Sequence, residues 1–399
     1  MTTLTEAWRQ RDRACHMEAY ARYPLCLVEG RGARVRDVEG RWYLDFLSGI
    51  AVTGLGHCHP EVVAAVQEQA STLMHVSNLY THPRMVELAE ALVEAGALDR
   101  IFFVNSGTEA NETAIKLARI HHFRRGQPAR QRILSAAGAF HGRTLGSLAA
   151  TPRRPYQEGF GPLPGGFDSV EYGNAEALER ALDDTVAAFL VEPVQGEGGI
   201  VLPPPGYLRQ ARRLTRERGA LLIVDEVQCG MGRTGHLFAF QAEGVRPDII
   251  TLAKGLGGGL PIGAVAATLE VARSFQPGDH GCTFGANPVC CAAALAVLRI
   301  LQREDLPGRA GRLGQVFAAR LGPLAGSLPW VREVRCRGLM IGIELDRPAA
   351  EALERLRREG LLANACGPVL RLLPPLNLSD AELEEGLEIL ERVLGSLDS

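Results

Sequence analysis

Short apolar runs alternate with helical patterns through the middle of the chain. Arg100–Val104 (RIFFV) leads into a helix pattern over Glu109–His121, and Arg132–Leu134 is a further short strand. Ala187–Val191 (AAFLV) follows a helix pattern at 175–183, and Ala220–Val224 (ALLIV) follows one at 207–218. Asp248–Leu252 (DIITL) runs into Lys254, and Ala264–Ala267 precedes a polar helix. Strands alternating with helices between residues 100 and 290 predict an α/β unit with a mainly parallel sheet. The flanks read differently. Gly32–Asp37 and Trp42–Asp45 predict a hairpin around Glu39-Gly40. Beyond residue 290, amphipathic helix patterns run over 291–303, 308–321, 348–359 and 380–395, with short strands at 340–345 and 369–373. These ends predict a smaller α+β domain built from both termini. Pro/Gly-rich stretches at 152–166 and 203–206 read as loops, and no repeat or linker-like stretch divides the chain.

Composition narrows the classes. At 399 residues the chain has room for two or three domains with a large core. Lys plus Arg is 43 against 46 for Asp plus Glu, a balance that gives no support to nucleic-acid binding. No apolar run approaches the ~18–20 residues that span a bilayer, and the polar start lacks the apolar segment of a secretory signal. The 9 cysteines are odd in number and make no C-x-x-C pair, which fits reduced thiols in the cytoplasm. His57-Cys58-His59 has no carboxylate or thiolate partners at ligand spacing, and Gly54, Gly56 and Pro60 around it predict a turn. Only Lys116 and Lys254 are lysine among the 43 basic residues. Arginine has been favoured wherever a bare charge suffices, so a surviving lysine is a candidate amine: it can lose its proton and form a Schiff base, and arginine can do neither.

In open α/β sheets, ligands bind beyond the carboxyl ends of the strands. The residues just past each apolar run are therefore the candidates for chemistry. RIFFV is followed by Asn105-Ser106-Gly107-Thr108, AAFLV by Glu192-Pro193, ALLIV by Asp225-Glu226-Val227-Gln228, and DIITL by Ala253-Lys254-Gly255. Ser106-Gly107-Thr108 at a strand-to-helix turn suits a phosphate, and an ordinary Ser/Thr cap leaves the same signal. Asp225 closes an apolar run, where a carboxylate needs a partner: a cationic ring nitrogen, or loop N–H groups and an arginine. Lys254 lies between an apolar run and Gly255-Leu256-Gly257-Gly258-Gly259, whose spacing does not match a dinucleotide fingerprint. Lys116 sits mid-helix, the setting of a solvated lysine. Phe140 can stack on a planar group and Arg143 can clamp a carboxylate, and a loop with a packed Phe and a solvent-facing Arg leaves the same signal. Phosphate, ring-nitrogen carboxylate, amine and stacking aromatic together describe a site for pyridoxal 5′-phosphate (PLP).

At these residues the chain resembles the class III (ornithine/acetylornithine) aminotransferases of PLP fold type I. The resemblance runs nearly end to end, through LDFLSGIAVTGLGHCHP (44–60), FFVNSGTEANETAIKLAR (102–119), AFHGRTLGSL (139–148), VEPVQGEGG (191–199), LLIVDEVQCGMGRTG (221–235), LAKGLGGGLPIGA (252–264) and HGCTFGANPV (280–289). It implies a large PLP-binding domain over 51–294 and a small domain from 1–50 and 295–399. It implies that Lys254 forms the Schiff base and shuttles the proton, that Asp225 keeps the pyridine nitrogen protonated, and that Glu192 supports the site. Ser106, Gly107 and Thr108 bind phosphate, Phe140 stacks on the ring, and Val227 and Gln228 complete the cofactor contacts. Thr283 reaches the phosphate of the neighbouring subunit, so a homodimer is implied.

For substrates, the resemblance implies small amino and oxo acids, with an acylated diamino acid as donor and 2-oxoglutarate as acceptor. Arg143 matches the arginine on the donor α-carboxylate, and Arg371 the arginine on the α-carboxylate of glutamate. Glu197 matches the residue that neutralises Arg371 while the other donor is bound. Ile50 stands where ornithine enzymes place a Tyr. The short chain, the QGEGG loop and HVSNLYTH (75–82) look most like the bacterial acetylornithine branch. Cys282, where Ser or Thr is common beside the donor, and Cys229, where Thr is usual, depart from that branch. Succinyl-diaminopimelate, acyl-lysine, ornithine and 4-aminobutyrate donors stay open at this point.

Overall fold

A computed structural model of the chain describes residues 3–397. A helix Leu4–Cys15 precedes three antiparallel strands, β1 (Leu27–Arg31), β2 (Arg34–Asp37) and β3 (Trp42–Asp45). The expected hairpin is β2–β3. Asp37 closes its turn, its Oδ1 accepting the Glu39 and Arg41 N–H groups at 3.0 and 2.9 Å. Helices Pro60–Thr72 and Pro83–Glu94 come next, each opening on a proline, whose missing N–H costs nothing in a first turn.

The central sheet contains β4 (Arg100–Val104), β5 (Arg132–Ala136), β6 (Phe167–Val170), β7 (Val186–Val191), β8 (Leu221–Asp225), β9 (Ile249–Leu252) and β10 (Gly263–Ala267). Their spatial order is β4-β10-β9-β8-β7-β5-β6. Strand β10 runs antiparallel to both neighbours, and the other pairs are parallel. Both faces are buried, as a parallel sheet requires. On one face Ala188, Leu190, Leu221 and Ile223 pack with Ala110, Ala114 and Ala118 of the helix Gly107–Arg124. On the other, Phe189, Val191, Leu222 and Val224 pack with Leu208, Ala211 and Leu214 of the helix Tyr207–Glu217. The alternation along β7 and β8 thus splits one continuous apolar run between two cores. Strand β6 left no such run because it is an edge strand with only Val170 buried.

The C-terminal part adds β11 (Val331–Arg337), β12 (Met340–Leu345), β13 (Leu361–Leu362), β14 (Asn364–Cys366) and β15 (Val369–Leu372). Strand β13 pairs in parallel with β3, so residues from both ends of the chain share one sheet. Strands β11, β12, β15 and β14 form a separate antiparallel sheet in that order. The expected helices appear as Pro288–Arg303, Leu306–Leu321, Ala350–Glu359 and Asp380–Gly395. Strand β11 (VREVRCR) carries too many charges to show an apolar run.

Two glycines one turn apart in the helix Leu306–Leu321 give a test of this packing. A Cβ at Gly314 would sit 2.4 Å from the Gly338 carbonyl oxygen, between β11 and β12, whereas one at Gly311 would meet Gly235 Cα at 3.7 Å. Overpacking against backbone costs about 1–3 kcal/mol, and replacing an interior helical glycine by alanine gains about 1 kcal/mol. Gly311→Ala should therefore raise the thermal midpoint and Gly314→Ala should lower it, as differential scanning calorimetry on the two variants will show.

Candidate active site

The carboxyl ends of the parallel strands deliver their residues to one cleft of about 430 Å³. Its anion-binding end is lined by Ser106, Gly107 and Thr108, its floor and walls by Phe140, Glu192, Asp225, Val227, Gln228 and Lys254, and its mouth by Arg143. Ten of the residues singled out in the sequence therefore share one site. Glu197 and Arg371 stand behind Gln228, whereas Cys282 and Thr283 lie outside the cleft of their own chain.

The anionic end is the N-terminus of the helix Gly107–Arg124. Ser106 Oγ accepts the Glu109 N–H at 3.3 Å, and Glu109 returns a carboxylate oxygen to the Asn105 N–H at 2.6 Å. This reciprocal capping leaves the N–H groups of the first turn facing the cleft. Thr108 Oγ1 lies 2.7 Å from Ser147 Oγ and accepts the Arg143 and Thr144 N–H groups at 3.2 Å. Gly142 makes that approach possible: it has φ 136°, and a Cβ there would sit 2.2 Å from Thr108 Oγ1.

Asp225 occupies the opposite end, 3% exposed as the last residue of β8. Its Oδ2 accepts Asn111 Nδ2 and faces His141 Nδ1, both at 2.8 Å, and its Oδ1 accepts the Val227 N–H at 3.0 Å. Burial pushes this carboxyl up, but His141, the Val227 N–H and Asn111 together hold it below the ordinary range. It is an anion at neutral pH. Neither Asn111 nor His141 was singled out in the sequence. The signal for Asn111 was there: it is a polar residue on the face that Ala110, Ala114 and Ile115 bury.

Lys254 follows β9 with φ 40°, a left-handed backbone that aims its amine at the cleft. The amine has no hydrogen-bond or ion-pair partner among the described residues. Burial pushes its pKa below that of an ordinary lysine, opposed by Glu197. Lys116 is exposed and donates to the Asp279 carbonyl at 3.2 Å, 2.9 Å from His280 Nδ1. Glu192 accepts the Phe140 and Gly196 N–H groups at 3.0 and 3.3 Å, fixing the Phe140 backbone and the glycine loop to one another. Burial pushes its carboxyl up to about 7.

At the outer wall, Arg371 of β15 is 1% exposed, and its Nη1 donates to Glu197 Oε1 at 2.6 Å and to the Gly196 carbonyl at 3.1 Å. Gln228 Nε2 donates to the same Glu197 oxygen at 3.2 Å. Burial raises Glu197, and Arg371 with Lys254 and Gln228 more than cancels this, so its pKa falls below the ordinary value. Arg143 is exposed, with its guanidinium 3.8 Å from the Tyr156 ring centroid and 5.6 Å from that of Phe140. Cys282 Sγ accepts Asn105 Nδ2 at 3.1 Å behind the anionic end, and Cys229 donates to the Asp225 carbonyl at 3.4 Å on the far side of β8. Neither thiol lines the cleft. His57 closes its turn on Asp45, Nε2 to Oδ2 2.7 Å.

Glu226, beside Asp225, faces away from the cleft and accepts the Ala239 and Phe240 N–H groups, both at 2.8 Å. Burial pushes its carboxyl up to about 7. A carboxyl raised on folding holds its proton in the native state after the unfolded chain has lost it. Its contribution is thus greatest below about pH 4.5 and declines as pH rises to about 7, by about 3 kcal/mol. Glu226→Gln should be less stable than wild type at pH 5, since one N–H loses its acceptor, and should lose that part of the decline between pH 5 and 8. Urea unfolding of both proteins across this range provides the measurement.

An anion cradle at a helix N-terminus, an aromatic wall, a free amine and a buried carboxylate opposite the cradle match the phosphate, ring, aldehyde and pyridine nitrogen of PLP in that order. Comparison with known proteins leads to the same place. The family profile described as aminotransferase class-III matches residues 16–394. The acetylornithine aminotransferase of Mycolicibacterium smegmatis is 50% identical over 395 residues, covering 98% of each chain. That of Methanothermobacter thermautotrophicus is 46% identical over 387 residues, 97% of this chain and 98% of its own. The ornithine aminotransferase from Toxoplasma gondii, whose crystals show partial occupancy of PLP at the active site, superposes with a TM-score of 0.96 at 37% identity, covering 99% of this chain and 95% of its own. Matched over nearly its whole length, the chain belongs to the class-III aminotransferases, enzymes that depend on PLP.

Proposed function

We propose that this enzyme transfers the terminal amino group of N2-acetyl-L-ornithine to 2-oxoglutarate, giving N-acetylglutamate 5-semialdehyde and glutamate, in the cytoplasm as a step of arginine biosynthesis. The observation that carries this reading is the 2.6 Å Arg371–Glu197 pair, together with an Arg143 that lines the cleft and has no carboxylate partner among the described residues. The names of the relatives at 46–50% identity support it. So does Ile50, an apolar side chain that offers no hydrogen bond to a free α-amino group. We read residues 51–294 as the large domain and 1–50 with 295–399 as the small one. The free state of all the cysteines agrees with a cytoplasmic setting.

Bound PLP supplies an electron sink for the carbon that loses its proton. The chain's own residues do the rest. Asp225 holds a negative charge opposite the ring nitrogen, in a setting dry enough for the pairing to count. The first-turn N–H groups and Thr108 would hold the phosphate dianion of PLP, and Phe140 would stack against its ring. Lys254 Nζ, lowered toward neutrality, takes up and releases the proton. Glu192 fixes the Phe140 backbone to the Gly196 loop. Arg143 binds the carboxylate common to both substrates.

Thr283 is exposed outside its own cleft, beside Phe284, Met74, Leu79 and Tyr80, which are also exposed. His75 packs on Phe284 at 5.4 Å between ring centroids, and Asn78 holds the Cys282 and Gly285 carbonyls, so these residues form one apolar patch. We place the second subunit there, with Thr283 at the partner's anionic end. Sedimentation velocity should give a dimer, and Tyr80→Asp should shift it toward monomer with loss of activity. An active monomer would remove the idea.

The two-substrate reading is tested through its charge balance. Glutamate brings a second carboxylate to Arg371, whereas acetylornithine, whose neutral amide sits beside the carboxylate at Arg143, brings no anion there. Glu197→Gln should keep or improve the glutamate half-reaction and weaken that of acetylornithine, while Arg371→Ala should hurt glutamate most. Charge-assisted contacts imply shifts of about 1.5–3 kcal/mol, about ten- to a hundredfold. Single-turnover rates with acetylornithine, ornithine, acyl-lysine, 4-aminobutyrate and glutamate decide both points. Ornithine reacting faster than acetylornithine, or equal losses in both half-reactions, would reject the assignment.

A further inference from the structure

Tyr156 lies in the short helix Arg154–Gln157 and is absent from the cleft wall, yet three site elements meet on its ring. The Arg143 guanidinium carbon lies over it, 3.8 Å from its centroid. Phe140 meets it edge to face, at 6.0 Å and 88°. Arg153 lies 5.3 Å from the same centroid, Nη1 at 3.4 Å from the Tyr156 hydroxyl, and sends Nη2 to the Glu197 carbonyl at 2.8 Å. The turn is itself pinned, because Gln157 Nε2 donates to the Leu148 and Thr151 carbonyls at 3.0 and 2.9 Å.

Arg143 is a long, exposed side chain at the mouth, and ordering it costs about 2 kcal/mol of rotamer entropy. A ring face removes most of that cost in advance. Stacking occupies the flat of the guanidinium and leaves its N–H edge free for a carboxylate. We propose that Tyr156 is a positioning residue for donor specificity, holding Arg143 edge-on to the incoming α-carboxylate and tying it through Arg153 to the loop of Glu197. The proposal rests on the reading of Arg143 as the carboxylate contact. Tyr156 touches neither substrate nor cofactor; its effect is exerted through Arg143.

The test uses the PLP-loaded enzyme with two donors that differ only in the carboxylate, acetylornithine and N-acetylputrescine. Tyr156→Leu should raise KM for acetylornithine about two- to fivefold, the scale of a cation–ring contact at an exposed site, with kcat unchanged. KM for N-acetylputrescine should not move. Tyr156→Phe, which keeps the ring, should restore the wild-type KM. In an Arg143→Ala background Tyr156→Leu should add nothing, since the two residues act as one unit. An equal KM rise for both donors, or a loss that persists without Arg143, would mean that Tyr156 only supports the fold and would overturn the proposal. An effect of Arg143→Ala with none of Tyr156→Leu overturns the role of Tyr156 alone. No effect of Arg143→Ala overturns the reading of Arg143 and the inference with it.

Discussion

The buried charge of Asp225 sets the terms for the rest of the site. A carboxylate at the closed end of a sheet strand is costly to desolvate, and it stays ionised only where donors are fixed around it. Here they come from three elements: Asn111 from the helix Gly107–Arg124, His141 from the loop after β5, and the Val227 N–H from the turn after β8. Asn111 also does a second job. It accepts Thr251 Oγ1 of β9 at 3.0 Å, three residues before Lys254, and donates to the His141 carbonyl at 2.7 Å. The helix that holds Asp225 through Asn111 therefore opens, one turn earlier, as the anion cradle. Cradle, carboxylate and the strand that leads to Lys254 are thus tied together through Asn111.

Strain gathers on the same side of the molecule. Ser48, Gly49, Ile50 and Ala51 all have φ between 50° and 65°, a left-handed turn that three of them adopt at a steric cost. Asp45 holds it, taking the Leu47 and Ser48 N–H groups on Oδ1 at 2.9 and 3.0 Å and His57 on Oδ2. The turn carries Val52 to the cleft wall and brings the Ala51 carbonyl to 3.7 Å from where a Cβ of Gly255 would lie. Lys254 is itself left-handed. Such backbone persists only where the surroundings over-determine it. That is the structural use of a GHCHP stretch that looks, by composition, like a metal motif.

How much was legible in the sequence depends on how each signal arises. Lys254, Asp225 and Glu192 each end an apolar run, and strand direction alone sends them to one edge. Ser106, Gly107 and Thr108 combine turn chemistry with a helix start. Arg371 and Glu197 lie 174 residues apart on different elements, and only resemblance to a family joined them. Asn111 was hidden in a helix pattern, though a polar residue on an apolar face was its trace. Tyr156 and Arg153 sit in a Pro/Gly-rich stretch where no periodicity assigns a direction to any side chain. The helices Pro60–Thr72 and Pro83–Glu94 bury only two residues each and so left a weak stripe.

On the proposed two-substrate reading, the geometry at the outer wall decides which partner of the Arg371–Glu197 pair yields when a second carboxylate arrives. Arg371 is held from three sides: its Nε donates to Asn364 Oδ1 at 3.0 Å, its Nη1 to the Gly196 carbonyl, and its strand is paired on both edges by β12 and β14. Moving it would strand a guanidinium in a dry wall. Glu197 sits in a loop between Gly196 and Gly198-Gly199, with φ 101° at Gly199, and its side chain is 21% exposed. Released from Arg371, its carboxylate reaches water, and its separation from the guanidinium costs little beyond the contact itself. Under the proposed two-substrate reading, the arginine is thus the fixed reader and the glutamate the displaceable counter-ion. This explains why the mobile charge is placed on a glycine loop and the immobile one on a central strand. It also gives the Arg153 bond to the Glu197 carbonyl its purpose: the backbone stays anchored while the side chain turns away.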